Sequence, residues 1–325
     1  MKFIIKPLLL LLFIMLLVAC GQTGETTADV ETSSAGEDAA VTENGNETEA
    51  DGGEPMVDPD SVIASMSIHM TNNLLALGIK PAGSAIGGGV GDFLPHVADL
   101  LEGSAKLGVV TSPDMEAILA LEPDYIFTDA HFGAESLDTL EKIAPVISTD
   151  IDEGTWRDHL LETASYVGRE QVAEQFIEAY EEKAERVKSF IHDELGEEAK
   201  VMAIRVSAKE MRVMSMNRPM GPIMFDDLGL TPIDGLEEMT GDEPFAVISK
   251  EVLPDLGADA IFLIVNNDDD AKRSFDELAK NPVWNNLEAV KNNHVYTLDG
   301  QTWLDYSALG QDMALDDAEK LFTEQ

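Results

Sequence analysis

The chain has a single cysteine, Cys20, and lacks several motifs that would indicate a catalytic class. One cysteine near the start excludes internal disulfides, cysteine-based metal sites and a cysteine nucleophile in the rest of the chain. The Gly-x-Ser-x-Gly and Ser-x-x-Lys patterns of hydrolases are absent. The glycine-rich run at 87–91 lacks the Gly-Lys-Ser/Thr ending of a P-loop, and the six histidines lack the spacing of a zinc-protease motif.

Basic residues are scarce, with 21 lysines and arginines against 62 aspartates and glutamates and a formal net charge of −41. Beyond residue 60 the net charge is still about −31. A surface of this sign repels nucleic acid and anionic lipid, so neither is an expected partner. The few basic residues depart from the general trend, which makes their positions informative.

Long hydrophobic runs are limited to residues 8–18, which is shorter than the roughly 20 residues of a membrane-spanning helix. Lys2 and Lys6 precede this run, and Leu-Val-Ala-Cys at 17–20 follows it. The pattern predicts a signal peptide at 1–19, cleaved before Cys20, whose thiol receives a diacylglycerol. Two acyl chains suffice for stable anchoring. We expect a protein held on the outer face of a membrane, with a Gram-positive surface favoured.

The next segment, residues 21–60, contains 12 acidic residues, no lysine or arginine and no aromatic residue. Such a segment cannot bury enough apolar surface to offset the entropy of ordering it. Like charges along it also favour extension. We therefore predict that residues 20–60 form a lipidated cysteine followed by a disordered acidic tether.

Short apolar runs alternate with helix-like segments over the remainder of the chain. The first strands are predicted at 62–66, 82–86, 106–110, 125–129 and 146–149, and the helices between them at 72–77, 97–101, 115–121 and 137–143. A second set of strands is predicted at 201–206, 212–214, 260–265 and 295–298, with helices at 223–228, 250–256, 275–279, 283–290 and 307–322. This alternation predicts mainly parallel sheets flanked by helices.

A long helical pattern separates the two sets and runs from about residue 156 to 194, with a break predicted at Gly168. One long helix is able to join two lobes as a strut. The predicted organisation is an N-terminal lobe at 61–155, a rigid linking helix at 156–195 and a C-terminal lobe at 196–325. A cleft between the lobes is the expected place for a small ligand.

Several motifs resemble one family over nearly the whole chain beyond residue 61. They are Asn72 to Pro81, Leu107-Gly108 with Pro113-Asp114-Met115-Glu116, Leu121 to Ile126, Leu140 to Val146, Phe225 to Leu230, and Ile248 to Glu251 followed by Ala258 to Phe262. In this order and spacing they resemble the substrate-binding lipoproteins of iron-siderophore ABC importers, a group that also includes haem and cobalamin binders. The resemblance implies iron transport without a cofactor, in partnership with a permease and its ATPase, by a protein that is a monomer.

The resemblance also implies a role for Glu116 and Glu251, which lie in the first turns of corresponding predicted helices. In the family, glutamates at these positions pair with arginines of the permease. An acidic residue in a first helical turn also stabilises the helix dipole, by about 0.3–1 kcal/mol. The two roles are compatible at both positions.

Candidate ligand-binding residues follow the predicted strands. Arg205 interrupts an apolar strand and Arg218 lies in a following loop, and their guanidinium groups suit anionic oxygen donors. An internal ion pair and a solvated loop charge are the respective alternatives. The aromatic residues Trp303 and Tyr306 suit a siderophore surface, with core packing as the alternative. The last candidates are His131 and His69, each beyond a strand end.

These residues favour a hydroxamate, citrate-hydroxamate or citrate complex of Fe(III) over a triscatecholate. Members of the family often have basic residues around the position of His131, whereas this chain has only the histidine there. Haem, cobalamin or a metal ion stays open as the ligand, with His131, Met216 or Tyr306 as axial candidates for haem. A secreted two-lobed α/β enzyme and a surface adhesin or sensor are the alternatives from other classes.

Overall fold

Two six-stranded sheets organise the chain, and the computed structural model describes residues 56–58, 60–130 and 136–324. The first lobe contains β1 (Ile63–Ser65), α1 (Ile68–Ala76), β2 (Gly83–Ile86), β3 (Ala105–Val109), β4 (Ser112–Pro113), α2 (Met115–Ala120), β5 (Tyr125–Asp129), α3 (Leu137–Leu140) and β6 (Val146–Thr149). Its strand order is β4-β3-β2-β1-β5-β6. All pairs are parallel except β3 with β4, so the predicted parallel sheet is confirmed for this lobe.

Two helices follow the first sheet, namely α4 (Trp156–Val167) and α5 (Glu170–Leu195). Thr155 caps α4 by accepting a hydrogen bond from the backbone N–H of Asp158, and the Asp158 carboxylate accepts from the backbone of Thr155 in return. Gly168 ends α4 in the left-handed conformation, with φ of 62°. The predicted break at this glycine is confirmed, and the 26 residues of α5 span about 39 Å.

The second lobe is built on a mixed sheet with the order β10-β8-β7-β11-β12, with β9 beside β7. Its strands are β7 (Lys200–Val206), β8 (Met211–Met214), β9 (Thr231–Pro232), β10 (Phe245–Ile248), β11 (Ala260–Val265) and β12 (Val295–Thr297). Its helices are α6 (Leu236–Thr240), α7 (Asp269–Ala279), α8 (Pro282–Asn285), α9 (Glu288–Lys291) and α10 (Gly300–Trp303). Because β8 is antiparallel to β7 and to β10, only part of this sheet is parallel.

Four segments differ from their predicted structure. Residues 97–101 form consecutive turns instead of a helix, and the helix predicted at 283–290 divides into α8 and α9. The segment Pro222–Asp227 is a π-helix. The segment Lys250–Leu256 is a 3₁₀-helix that contains Pro254, whose missing N–H prevents continuous α-helical hydrogen bonding.

The last helix, α11 (Ala308–Thr323), returns from the second lobe to pack against α5 and α1. Lys183 on α5 donates to both Asp312 and Asp316 of α11, at 2.7 Å in each case. Val57 is buried against the same helical layer, and its N–H donates to the Tyr166 carbonyl. The two lobes therefore share one layer of helices. The predicted bounds of the N-terminal lobe, the linking helix and the C-terminal lobe, at 155/156 and 195/196, stay a prediction.

Gly108 explains one of the sequence motifs, because it has a φ of +82° and no room for a side chain. A Cβ atom there would lie 2.6 Å from the backbone N of Asp114, the N-cap of α2, and 2.8 Å from the Ser112 carbonyl oxygen. We expect Gly108→Ala to lower the free energy of unfolding by more than about 2 kcal/mol, measured by urea denaturation.

The matched control is Gly103→Ala, since Gly103 has a φ of +89° and nothing within 4 Å of the added Cβ. This variant has the backbone strain without the collision, so we expect a loss of about 1 kcal/mol. Equal losses in the two variants would contradict the role given to the contact with Asp114.

Candidate functional site

A cleft lies between the two lobes where their parallel strands end. One cavity of about 390 Å³ is lined by residues of both lobes and of α4: His69, Ile151 and Asp152 from the first lobe, His159 from α4, and Asn217, Arg218, Pro219, Asp242, Pro244, Leu304 and Tyr306 from the second lobe. The carboxyl ends of parallel strands are the usual ligand sites of α/β sheets. The predicted cleft between two lobes is confirmed.

Two further cavities border the same cleft. One of about 760 Å³ is lined by Arg205, Asn266 and Gln301 of the second lobe, facing Val90 and Pro95 of the first. Another of about 270 Å³ lies at the carboxyl edge of the first sheet. Leu304 borders the first two cavities, and His69 borders the first and the third. A ligand of siderophore size therefore has room across neighbouring cavities.

Arg205 stands beside a second arginine at the edge of this cleft. The two strands β7 and β8 are antiparallel, and their register places Arg205 directly opposite Arg212. Arg212 is ion-paired with Glu210 and stacks on the Phe245 ring, with its Cζ 3.8 Å from the ring centroid. Arg205 donates from Nε to the neutral Oδ1 of Asn266 at 2.9 Å.

The environment of Arg205 favours an anion. Burial, and then the positive charge of Arg212, lower the pKa of the Arg205 guanidinium. Among the residues that the structure describes, no carboxylate lies within salt-bridge distance of Arg205 to offset its charge. An anionic ligand in the adjoining cavity would supply that charge.

Arg218 connects the two sides of the cleft. Its guanidinium donates to the carbonyl oxygens of Ile151 and Asp152, which follow β6 of the first lobe. Its Cζ lies 5.3 Å from the centroid of the Tyr306 ring, and both side chains line the cavity of 390 Å³. Burial raises the pKa of the Tyr306 phenol, which is therefore neutral at ordinary pH. Tyr306 offers an apolar ring and a hydroxyl group to a ligand.

His69 also faces the cleft, at the start of α1, with its Nδ1 3.8 Å from Oδ1 of Asp305. The buried Asp305 carboxylate accepts hydrogen bonds from Nδ2 of Asn72, at 2.6 Å, and from Nε2 of His96, at 3.0 Å. These contacts link the first lobe to the segment that carries Leu304 and Tyr306.

Trp303, another predicted ligand residue, lies in the core and not at this cleft. Trp303 is fully buried, its indole N–H donates to Asp317 at 2.8 Å, and its ring lies 6.2 Å from that of Phe262. The alternative reading of Trp303 as core packing describes this position better than ligand contact. His131 lies outside the described residues.

The two predicted docking glutamates are exposed. Glu116 is the second residue of α2, and Glu251 is the second residue of the 3₁₀-helix that follows β10. A hydrogen bond from its own backbone N–H, and then one from the Ser249 hydroxyl, lower the pKa of Glu251. Within the described ranges, neither carboxylate has a basic side chain at salt-bridge distance.

Four residues that support the cleft were not predicted from the sequence, namely Arg212, His96, Asn72 and Asp305. Arg212 had a detectable signal, because a symmetric hairpin between two predicted strands pairs it with Arg205. Asp305 had none, since a buried aspartate in a loop looks like any other acid in so acidic a chain.

Across the described parts of the chain, no helix is long and apolar enough to cross a membrane.

Two lobes that open their sheets onto one cleft, with helices as the connection, define the class of two-lobed solute-binding proteins. The chain belongs to the periplasmic binding protein family, whose model matches residues 92–302. The fold and family anticipated from the sequence motifs are thereby confirmed.

Several relatives of this chain are named as binding proteins of iron or siderophore uptake. It is 26% identical over 299 residues to the iron-uptake system-binding protein of Bacillus subtilis, covering 91% of this chain and 90% of the relative. It is 28% identical to the probable siderophore-binding lipoprotein YfiY of the same organism, covering 78% and 79% of the two chains. The crystal structure of Staphylococcus aureus SirA complexed with staphyloferrin B matches with a TM-score of 0.68 and 25% identity, covering 80% of this chain and 92% of that one.

Proposed function

We propose that this protein captures an anionic ferric-siderophore complex outside the cell and delivers it to an ABC permease. The observation that carries the proposal is Arg205, a guanidinium at the cleft whose partner in the described structure is the neutral Asn266. The names of the relatives support iron and siderophore as the cargo. Cleft binding without chemical conversion of the ligand fits this family, so we propose no enzymatic activity and no resident cofactor.

The ligand class follows from the chemistry of the cleft. Guanidinium groups bind carboxylate and hydroxamate oxygens through two parallel hydrogen bonds, which makes them effective in a partly buried site. In a chain of net charge −41, Arg205 and Arg218 are positive groups in a cleft that aspartates also line, and each offers an anion a local point of attraction. We therefore propose a hydroxamate, citrate-hydroxamate or citrate complex, contacted by Arg205, Arg218, Tyr306 and His69.

Delivery requires a surface for the permease, and we propose that Glu116 and Glu251 provide it. Both helices begin near the carboxyl edges of their sheets: β4 pairs with the end of β3, and β10 ends three residues before Glu251. One glutamate on each lobe would align the cleft with the channel of the permease. The ATPase of the importer acts through that permease and needs no contact with this chain.

The start of the chain, which lies outside the described residues, supplies the proposed attachment to the membrane. A lipidated Cys20 and the acidic segment up to residue 55 would keep a monomeric receptor close to its permease, whereas Val57, near the end of the predicted tether, is buried. Tethering raises the effective concentration of a binding partner, to the millimolar range for short flexible linkers. Mass spectrometry of the membrane fraction tests this proposal, since a diacylated Cys20 at the N-terminus is the expected species.

Titration calorimetry of residues 56–325 with a panel of ligands tests the proposed function. The panel contains ferric citrate, ferrioxamine B, a ferric catecholate, haem and cobalamin. We expect a ferric citrate or hydroxamate complex to bind with a Kd of about 10 μM or less. Tightest binding of haem or cobalamin would assign the cleft to that ligand, and absence of binding by every compound would contradict the receptor function.

Replacing Arg205 by alanine is expected to weaken binding of the anionic complex about tenfold or more. The reason is the loss of a charge-assisted hydrogen bond, which contributes about 1.5–3 kcal/mol. Arg186→Ala is the matched control, because Arg186 lies on α5 with half of its side chain exposed, at 3.9 Å from Glu319. Equal affinities of wild type and Arg205→Ala would remove Arg205 from the site.

A further inference from the structure

The buried carboxylate of Asp305 is the centre of a polar cluster between the lobes. Its side chain is 3% exposed. It accepts three hydrogen bonds, from Nδ2 of Asn72 at 2.6 Å, Nε2 of His96 at 3.0 Å and the backbone N of Ser307 at 3.0 Å. A buried charge needs hydrogen-bond donors in fixed positions around it, and ordering those donors costs entropy. A cluster of this kind therefore fixes the positions of the groups that it joins.

These hydrogen bonds connect the two lobes. Asn72 belongs to α1 and His96 to the turns that follow β2, whereas Asp305 follows α10 of the second lobe. A parallel contact lies beside them, in which the backbone N of Ala308 donates to Oδ1 of Asn73 at 3.0 Å. The packing is close, because a Cβ atom on Gly310 would lie 2.4 Å from Cγ of Asp305.

The cluster touches the cleft through the neighbours of Asp305 on both sides. Leu304 and Tyr306 flank it in sequence, and both line the cavity of 390 Å³. His69 lines that cavity and the adjoining one of 270 Å³, while its Nδ1 approaches Oδ1 of Asp305 at 3.8 Å. Asp305 itself lines none of these three cavities.

The charges around His69 come from several elements. Burial lowers the pKa of His69, and His159 on α4 and Arg218 lower it further, whereas Asp305 and Asp129 at the end of β5 act in the opposite direction. Burial alone would raise the pKa of Asp305, but the hydrogen bond from His96 and the nearby imidazoles hold that pKa below its ordinary value. The cluster therefore places an ionised carboxylate behind an imidazole that is neutral near pH 7.

We propose that Asp305 is a positioning residue for the ligand cleft, and that His69, held between Asp305 and the ligand, takes up a proton when an anionic ligand binds. The first part follows from the contacts of Asp305 with both lobes and with the segment of Leu304 and Tyr306. The second follows because an anion on the open side of His69 adds to the carboxylate behind it, and two negative charges favour the imidazolium. The identity of the ligand rests on the function proposed above.

The first test compares Asp305→Asn with wild type in calorimetric titrations with ferric citrate at pH 6. We expect about tenfold weaker binding in Asp305→Asn, because the asparagine keeps the shape of the side chain but loses the charge. The matched control is Asp312→Asn, which removes a partly buried acid of α11 that pairs with Lys183, away from the cleft. Unchanged affinity in Asp305→Asn, or an equal loss in both variants, would overturn the positioning role.

The second test measures proton uptake in wild type, from calorimetry at pH 6 in buffers of different ionisation enthalpy. We expect wild type to take up more protons on binding ferric citrate than His69→Gln does, since the imidazole of His69 binds a proton and the amide of a glutamine does not. This measurement does not need the Asp305→Asn variant, so it tests the role of His69 even if that variant does not fold. Equal uptake in the two proteins would overturn the role of His69.

A third measurement needs no ligand and separates this inference from the proposed function. NMR titration of the imidazole signals gives the midpoint of His69 in the free protein, assigned by comparison with His69→Gln. We expect a lower midpoint in Asp305→Asn than in wild type or Asp312→Asn, because the carboxylate favours the imidazolium. An unchanged midpoint would overturn the inference even if a ferric complex binds. If no compound of the panel binds while the midpoint shifts as expected, the proposed function fails instead.

Discussion

Simultaneous replacement of Glu116 and Glu251 by alanine is expected to abolish ligand uptake by cells while the purified protein binds its ligand with unchanged affinity. Removing one member of a desolvated charge pair costs about 2–5 kcal/mol at an interface. Two such losses weaken docking to the permease roughly a thousandfold or more. Uptake of ⁵⁵Fe by cells that carry the cognate permease, combined with calorimetry on the purified variant, measures both quantities.

The control for this prediction keeps the change in charge and the helix position the same. Asp138 and Glu237 are exposed acids in the first turns of α3 and α6. Their joint replacement by alanine also removes two negative charges from helix starts, so its effect on helix stability is similar. Normal uptake in this control and loss of uptake in the glutamate variant would support docking. Loss of ligand affinity in Glu116→Ala/Glu251→Ala would contradict it.

Much of the fold was accessible from the sequence, because buried parallel strands produce unbroken apolar runs. The strands at Tyr125–Asp129, Val146–Thr149 and Ala260–Val265 have the predicted bounds. The edge strand Phe245–Ile248 was not predicted although its sequence is apolar throughout; none of its four residues is buried, and Val247 is 58% exposed. Residues 97–101 have helical spacing, yet they lie between Pro95 and Gly103 and fold as turns.

The cleft was only partly predictable. Arg205 and Arg218 were predicted as ligand-binding residues because charges are rare in apolar strands and basic residues are rare in this chain. Their partners depend on tertiary structure, since Asn266 comes from a different strand end and Ile151 from the other lobe. Trp303 and Tyr306 lie three residues apart, but one is buried in the core and the other lines the cleft. Sequence spacing alone does not distinguish these two environments.

Replacement of Trp156 by alanine is expected to cause the largest loss of stability among single changes at the junction of the lobes. The Trp156 ring is 1% exposed and packs edge-on against Tyr180 of α5, with ring centroids 4.6 Å apart. The Arg157 guanidinium lies 4.4 Å from the Trp156 centroid and donates to Asp227 at 3.0 Å. A buried tryptophan truncated to alanine leaves a large cavity and costs about 3–5 kcal/mol.

Urea denaturation followed by circular dichroism measures this loss without relying on the signal of the deleted tryptophan. Leu161→Ala on the same helix is the control, because Leu161 is 37% exposed and its truncation should cost less than about 1 kcal/mol. The Tyr180 hydroxyl also donates to Asp227 at 2.7 Å, so the aromatic cluster joins α4 and α5 to the π-helical segment of the second lobe. Equal stability losses in Trp156→Ala and Leu161→Ala would show that the aromatic cluster does not hold the lobes together.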